Sequence, residues 1–436
     1  MVKKLQEYFN RFNLHNVLGG ALRVLILRVL GVIFLFGITL YLTNFYPAEV
    51  VGAYEFTRSS LFLIGGVTLL GTDQSILFFS GRFSKPEQAG TLFQVYLKML
   101  ALLLGVSILL LGIILAIPKE YYNLFFNDQR SGTLLIKMGF CLFFYAVTLF
   151  NTEFFRAFDL HEKSELYRGI LKQLPFGFGL LILFLFNKHD YVVEVFLLSF
   201  LFCALLSGLE VYLKYKRLNP VVSRQTSIRF KTVLKATIPI AISAFGFYLL
   251  ISIDVFFLKR YTNFETLAYY GTSIKIIFLI STLINVMGSY LSVRIADLFV
   301  TDLVALQAVL KKGVRVIVGL ALLLSVILFV LAAEILGVFG AAYQEAVPAL
   351  RILIAGHFMS TLFGVTQVYL NMTKKQVVLQ YILIIAVVIN AILNAILIPK
   401  YGMLGAAVAS AFSVIFWNGC AVVWVYKKDR IKLFLH

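Results

Sequence analysis

Apolar residues run along this chain in long blocks, broken at short intervals by clusters of charged, glycine and proline residues. A helix needs about 20 apolar residues to cross a hydrocarbon layer of ~30 Å. Blocks of that length lie at about 18–44, 53–80, 91–117, 132–156, 166–187, 191–215, 237–260, 265–297, 313–338, 347–372, 376–398 and 402–426. The pattern predicts an all-α polytopic membrane protein of twelve transmembrane helices.

Composition agrees with this. Of 436 residues, 61% are hydrophobic and 14% charged, with a mean hydropathy of +0.92. One water-soluble core cannot hide that much apolar surface, because such cores stop growing at about 250–300 residues. The polar stretch Met1–Asn16 precedes an apolar run with no small-residue cleavage site after it, so that run is expected to be a retained span.

The net charge of +18 changes the picture only by fixing orientation. Basic residues gather in the short connections rather than on a polar module, which argues against nucleic acid. Cytoplasmic loops keep an excess of Lys and Arg. With the N-terminus inside, 26 basic residues fall in cytoplasmic segments and 7 in outer ones, so both termini are expected in the cytoplasm. Cys141, Cys203 and Cys420 all lie in apolar stretches, where a thiol behaves as a small hydrophobe. No disulfide, metal centre or bound cofactor is expected.

The chain repeats itself weakly. FYPAEVVGAYEFT (Phe45–Thr57) aligns with YTNFETLAYYGTS (Tyr261–Ser273), pairing Glu49 with Glu265, Tyr54 with Tyr270 and Thr57 with Ser273. GLEVYLKYKR from Gly208 likewise matches GCAVVWVYKK from Gly419. These matches fall at equivalent helices and predict two six-helix lobes, residues 1–222 and 223–436. Because each lobe has an even number of spans, the lobes share an orientation about an axis along the membrane normal, with substrate bound between them.

Charge inside the spans carries the candidate chemistry. A central Arg, Lys or Asp costs roughly 2.5–3.5 kcal/mol on insertion scales unless it faces protein or water. Arg28, Arg58, Lys98 and Lys275 are the candidates for a cationic, water-filled cavity that binds an anionic group such as a pyrophosphate. The competing reading pairs them with Glu55, Asp73, Glu153 or Glu210, or has them snorkel to the interface, as expected for Arg23, Lys137 and Arg294. Asp254 lies in the apolar run YLLISIDVFFL of the seventh span; Asn390 and Asn394 lie one turn apart on one face of the eleventh. One carboxylate and two amide oxygens suit Na⁺, or H⁺ through the acid alone. The plainer alternative pairs Asp254 with Lys259 or Lys275 and leaves the asparagines to bond across helices. His357 is expected to be a helix-to-helix hydrogen-bonding residue, and Gly65, Gly66, Gly71, Pro175 and Pro239 to permit close packing and bending.

Two stretches resemble the polysaccharide flippases of the multidrug/oligosaccharidyl-lipid/polysaccharide exporter superfamily. One is IPIAISAFGFYLLISIDVFFLKRYTNFETLAYYGTSIKI (Ile238–Ile276), similar to that family's early Pro, late Asp and aromatic turn; the other, NAILNAILIPKYGMLGAAVAS (Asn390–Ser410), is more specific. The resemblance implies a MATE-like fold in a bacterial cytoplasmic (inner) membrane, and rocking lobes that carry an undecaprenyl-pyrophosphate-linked oligosaccharide outward. It further implies coupling to a Na⁺ or H⁺ gradient, with Asp254, Asn390 and Asn394 standing where some relatives hold sodium. A polysaccharide polymerase would be a partner. Twelve spans rather than fourteen favour a surface-polysaccharide (O-antigen type) cargo over a peptidoglycan precursor. A multidrug exporter of the same fold should have an acidic pocket. A membrane-embedded polymerase or glycosyltransferase, the alternative from another class, should carry a sizeable outer loop that is missing here.

Overall fold

The computed structural model describes residues 14–82, 89–217 and 228–435, so residues 1–13 and the expected 222/223 lobe boundary lie outside the described residues. Those described form helices and no strand. Ten of the helices are long and apolar enough to cross a membrane; two bent pairs, at 41° and 42°, bring the number to twelve when each pair counts as one span. The protein is a multi-pass, all-α membrane protein.

The first half contains α1 (Leu14–Phe45), the bent pair α2 (Ala48–Leu69) and α3 (Thr72–Arg82), α4 (Ala89–Ala116), the short α5 (Lys119–Phe126) and α6 (Ser131–Ala157). The fifth span starts as α7 (His161–Leu166), continues through a π-helical turn (Tyr167–Leu171) and ends as α8 (Leu174–Leu185); α9 (Val192–Arg217) follows. The second half contains α10 (Phe230–Tyr261), α11 (Phe264–Thr301), α12 (Leu303–Val330), α13 (Ala332–Val338), the bent pair α14 (Val347–Thr361) and α15 (Thr366–Met372), α16 (Gln376–Tyr401) and α17 (Met403–Asp429).

Local sequence explains the breaks. Between α2 and α3 the chain turns through Leu70 (φ 45°) and Gly71 (φ 72°). A β-carbon on Gly71 would lie 2.7 Å from the Thr237 carbonyl oxygen, so both the dihedral and the space require glycine. In the fifth span Pro175 has no N–H with which to continue the preceding helix, and the π turn ends at Leu171, just ahead of the new helix start at Leu174. There Gly169 and Gly31 meet backbone to backbone, which brings α1 onto the fifth span. The motif Ile398–Gly402 likewise has a plain cause: Pro399 sits in the last turn of α16, and Gly402 (φ 53°, ψ −129°) ends that helix and starts α17 with no further linker.

The ninth span differs from expectation. Instead of a helix from 313 to 338, α11 runs to Thr301 and α12 spans Leu303–Val330, so Lys311 and Lys312 lie within the helix. The cause is Asp302, whose Oδ1 accepts hydrogen bonds of 2.9 Å from the amides of Val304 and Ala305 and caps α12 about ten residues early.

The chain packs as two compact units. One contains Met1–Phe45, Ile64–Ala116 and Leu135–Ala241; the other contains Tyr46–Leu63, Ile117–Leu134 and Ile242–His436. Phe150, Phe154, Phe155 and Tyr167 lie in the core of the first. The core of the second gathers Leu291, Leu310, Tyr369, Leu383 and Trp417, and buried Leu433 brings the C-terminal segment into it. Two segments of the first half, Tyr46–Leu63 and Ile117–Leu134, therefore share a unit with helices of the second half.

Candidate functional site

Asp254, Asn390 and Asn394 come together in the second unit, as their spacing and depth predict. The close crossing of α16 and α17 makes this possible: a β-carbon on Gly405 would sit 2.5 Å from the Leu397 carbonyl, so the two backbones touch there. Asp254 on α10 accepts a hydrogen bond of 2.7 Å from Asn394 Nδ2 through Oδ1. Its Oδ2 accepts from the Tyr270 hydroxyl at 2.9 Å and from the Ser410 hydroxyl. Asn394 Nδ2 also donates to Asn390 Oδ1 at 3.0 Å, and Asn390 Nδ2 to Ser413 Oγ at 3.1 Å. Asp254 is 2% exposed and both asparagines 0%, so the network is sealed. The expected alternative, a salt bridge to Lys259 or Lys275, does not form: Lys259 faces Asp128 at 3.7 Å and Lys275 faces Glu55.

Two consequences follow from the chemistry of this set. Among the described residues no cation pairs with the Asp254 carboxylate, and a buried carboxylate without a counter-charge is costly. Asn394 Oδ1 is buried and has no hydrogen-bond partner among them, so an oxygen acceptor next to the carboxylate is left over. Carboxylate, amide and hydroxyl oxygens form a hard-oxygen set, which fits Na⁺ or a proton. Tyr270, Ser410 and Ser413 are partners that sequence reasoning does not single out. Tyr270 does stand in the repeated segment and Ser410 at the end of the α16–α17 motif, so a signal exists at both.

The basic candidates are distributed differently from expectation. Arg58 and Lys275 converge in the second unit on one carboxylate, Glu55. Arg58 donates from Nε at 2.9 Å and approaches from Nη2 at 2.8 Å, both onto Oε2, while Lys275 lies against Oε1. The Lys275 side chain is 6% exposed and Glu55 2%, whereas Arg58 is 33% exposed. The Lys275 ammonium also lies 5.3 Å from the centre of the Tyr54 ring.

Arg28 belongs to the first unit, where Nη2 meets Glu165 Oε1 at 2.8 Å. Lys98 donates to the carbonyl of Ile228. Arg28, Arg58 and Lys275 thus each have an acid partner, as the competing reading of the sequence has it, because acids from other turns and helices reach them. Of the acids proposed as partners, Glu55 is one; Glu153 pairs with Arg156 and Arg168, and Glu210 with Lys163. Glu165 escapes sequence reasoning because it precedes the apolar part of its span. Arg23 and Lys137, expected to snorkel, are well exposed and also meet acids, Glu162 and Glu194. His357 reaches Ser281 Oγ across helices at 3.4 Å, in keeping with its expected role.

This helical fold is MATE-like. It resembles the inward closed conformation of the lipid II flippase MurJ, with a TM-score of 0.72 and 12% identity over 93% of this chain and 87% of that one. An inward-facing multidrug resistance transporter of the MATE family is similar at a TM-score of 0.73 and 14% identity, over 94% of this chain and 98% of that one. An uncharacterized membrane protein, MJ1068 of Methanocaldococcus jannaschii, is 23% identical over 386 residues, which is 82% of this chain and 72% of that protein. No protein-family model matches the chain.

Proposed function

We propose that the protein is a flippase that carries a polyprenyl-pyrophosphate-linked oligosaccharide from the inner to the outer leaflet of a bacterial cytoplasmic membrane. The observation that carries this reading is the gathering of basic groups within the spans: Arg58 and Lys275 both meet the buried carboxylate of Glu55. A pyrophosphate group suits such a cluster, since an arginine fork binds phosphate oxygens. The fold is shared with a flippase of lipid II, which supports a lipid-borne cargo. Arg28 and Lys98 would meet the same group at other depths of the passage. Both termini stay in the cytoplasm, and a polysaccharide polymerase receives the product.

Coupling is assigned to Asp254, Asn390 and Asn394. Turning the Asn394 amide by half a turn would set Oδ1 beside Asp254 Oδ1 and Asn390 Oδ1, a grouping that Na⁺ or a proton on the acid holds together. That no described cation pairs with Asp254 favours one second reading, an exporter of small organic cations on the same fold. Reconstituted vesicles separate the two. Gradient-driven flipping of a pyrophosphate-linked sugar lipid, abolished by Arg58→Ala, is expected; export of an organic cation without any movement of the lipid would overturn the flippase.

A further inference from the structure

We propose that Tyr270 is a positioning residue through which α11 senses the ion on Asp254: its hydroxyl holds the bare carboxylate, must turn or let go when an ion binds there, and α11 carries that change to the Lys275–Glu55 pair. This rests on the flippase reading and deepens it, since it names the link between the coupling site and the groups assigned to the cargo.

Tyr270 is where α11 enters the ion site. The other members come from α10 (Asp254), α16 (Asn390 and Asn394) and α17 (Ser410 and Ser413). Tyr270 is 1% exposed, and its hydroxyl donates to Asp254 Oδ2 at 2.9 Å. Ser410 donates to the same oxygen, and the two hydroxyls lie 3.5 Å apart. A carboxylate oxygen with two O–H donors on it is suited to carrying charge. Once Na⁺ lies against it, or a proton from the aqueous phase is bonded to it, that oxygen cannot keep both, and at least one hydroxyl must turn its lone pair inward. Ser410 can then donate to a carbonyl one turn back on its own helix, as helical serines do. The Tyr270 hydroxyl, at the far end of a ring, has no such fallback, and a buried O–H without an acceptor is costly. The change therefore falls on α11. Beside it, Asn394 Oδ1 is buried and has no hydrogen-bond partner among the described residues, which marks the spot as one that receives a ligand.

The residues of α11 that follow meet the basic cluster. A β-carbon on Gly271 would lie 2.9 Å from Glu55 Cγ, Cδ and Oε2, so the helix backbone runs against that side chain. Lys275, four residues on and on the same face, pairs with Glu55. One unbroken stretch of helix thus touches both Asp254 and Glu55, and it rises only about 7.5 Å from residue 270 to residue 275. At the start of α11, Gly52 of α2 lies directly against the backbone of Phe264. The helix is pinned in its first turn, so a push at Tyr270 is felt beyond that pin, where Gly271 has no clearance from Glu55. All of these residues belong to the second unit.

The test is infrared difference spectroscopy of the full chain in lipid, with NaCl exchanged for choline chloride and, separately, with a step in pH. The parent should show two carboxylate bands that respond to the ion: one removed by Asp254→Asn, the other moved by Glu55→Asp, which keeps the charge at that position. Tyr270→Phe keeps the ring and removes the O–H. It should bind the ion on the order of tenfold more tightly, because a hydrogen bond that competes with the ion is gone, and it should keep the Asp254 band while losing the Glu55 response. A tyrosine that only fills space would leave both bands responding. Ser410→Ala takes a donor off the same oxygen from α17, so it should keep the Glu55 response, and it decides the matter if Tyr270→Phe fails to fold. A Glu55 band that is silent in the parent, still responds in Tyr270→Phe or is lost in Ser410→Ala overturns the link. If the parent then still flips the pyrophosphate lipid under a gradient, the flippase reading survives alone; if the bands behave as expected but no lipid moves, the link survives and the flippase reading falls.

Discussion

Replacing Asp254 by asparagine separates the charge of this side chain from its shape. The carboxylate accepts hydrogen bonds from Asn394, Tyr270 and Ser410 and has no counter-cation among the described residues. Hydrogen bonds to a charged group contribute about 1.5–3 kcal/mol each. Asp254→Ala would thus strip three donors and leave a cavity in a fully packed site, at a cost of order 5 kcal/mol after allowing for the relief of removing a lone buried charge. Asp254→Asn keeps an acceptor for Asn394, and the two hydroxyls can turn to accept from the new amide, so its cost should stay near ~1 kcal/mol. The informative quantity is the ion response. A ligand present at about a hundred times its dissociation constant stabilises the folded state by about 2.7 kcal/mol. Purified parent protein should therefore unfold at a higher temperature in Na⁺ than in choline, or across a proton titration if H⁺ is the ion, and Asp254→Asn should lose that response while remaining folded. A Na⁺- or pH-dependent melting curve in Asp254→Asn identical to that of the parent would refute the assignment.

Lys275→Ala, which leaves Glu55 2% exposed with one partner fewer, should cost about 3–5 kcal/mol in detergent unfolding. Arg58→Ala, at a position 33% exposed, should cost less than half as much yet abolish lipid flipping. Gly31→Val drives a side chain into the Gly169 backbone, 2.8 Å from its Cα, and should lower stability by about 1–3 kcal/mol, read as loss of monodisperse protein on size exclusion. In whole cells Lys188→Cys should react with an impermeant thiol reagent, and Lys428→Cys only after permeabilisation; the reverse pattern would invert the topology.

Much of this architecture is legible along the chain, because a span is a local property: about twenty apolar residues announce themselves. The Asp254 set is legible for a related reason. Asn390 and Asn394 share a helix face, and a lone acid in an apolar run draws attention wherever it lies. What escapes is whatever depends on a distant partner. Arg28 meets Glu165 from 137 residues away, and no spacing rule connects them. Glu55 is visible as a candidate acid, but that it serves two cations at once depends on α2 packing against α11. The early start of α12 is a third kind of miss. Asp302 followed by Leu-Val-Ala is a capping signal, and it starts the helix about ten residues ahead of the apolar block expected from 313.

That capping aspartate has a mechanical consequence. With a single non-helical residue between Thr301 and Leu303, and with the Asp302 amide bonded back to the Leu298 carbonyl at 2.9 Å, α11 and α12 are joined at an elbow with almost no play. Tilting one arm must swing the other. A displacement of a few ångströms where Glu55 grips α11 would be carried along the whole of that 38-residue rod and handed on to α12 as torque, with no pliant loop between them to absorb it.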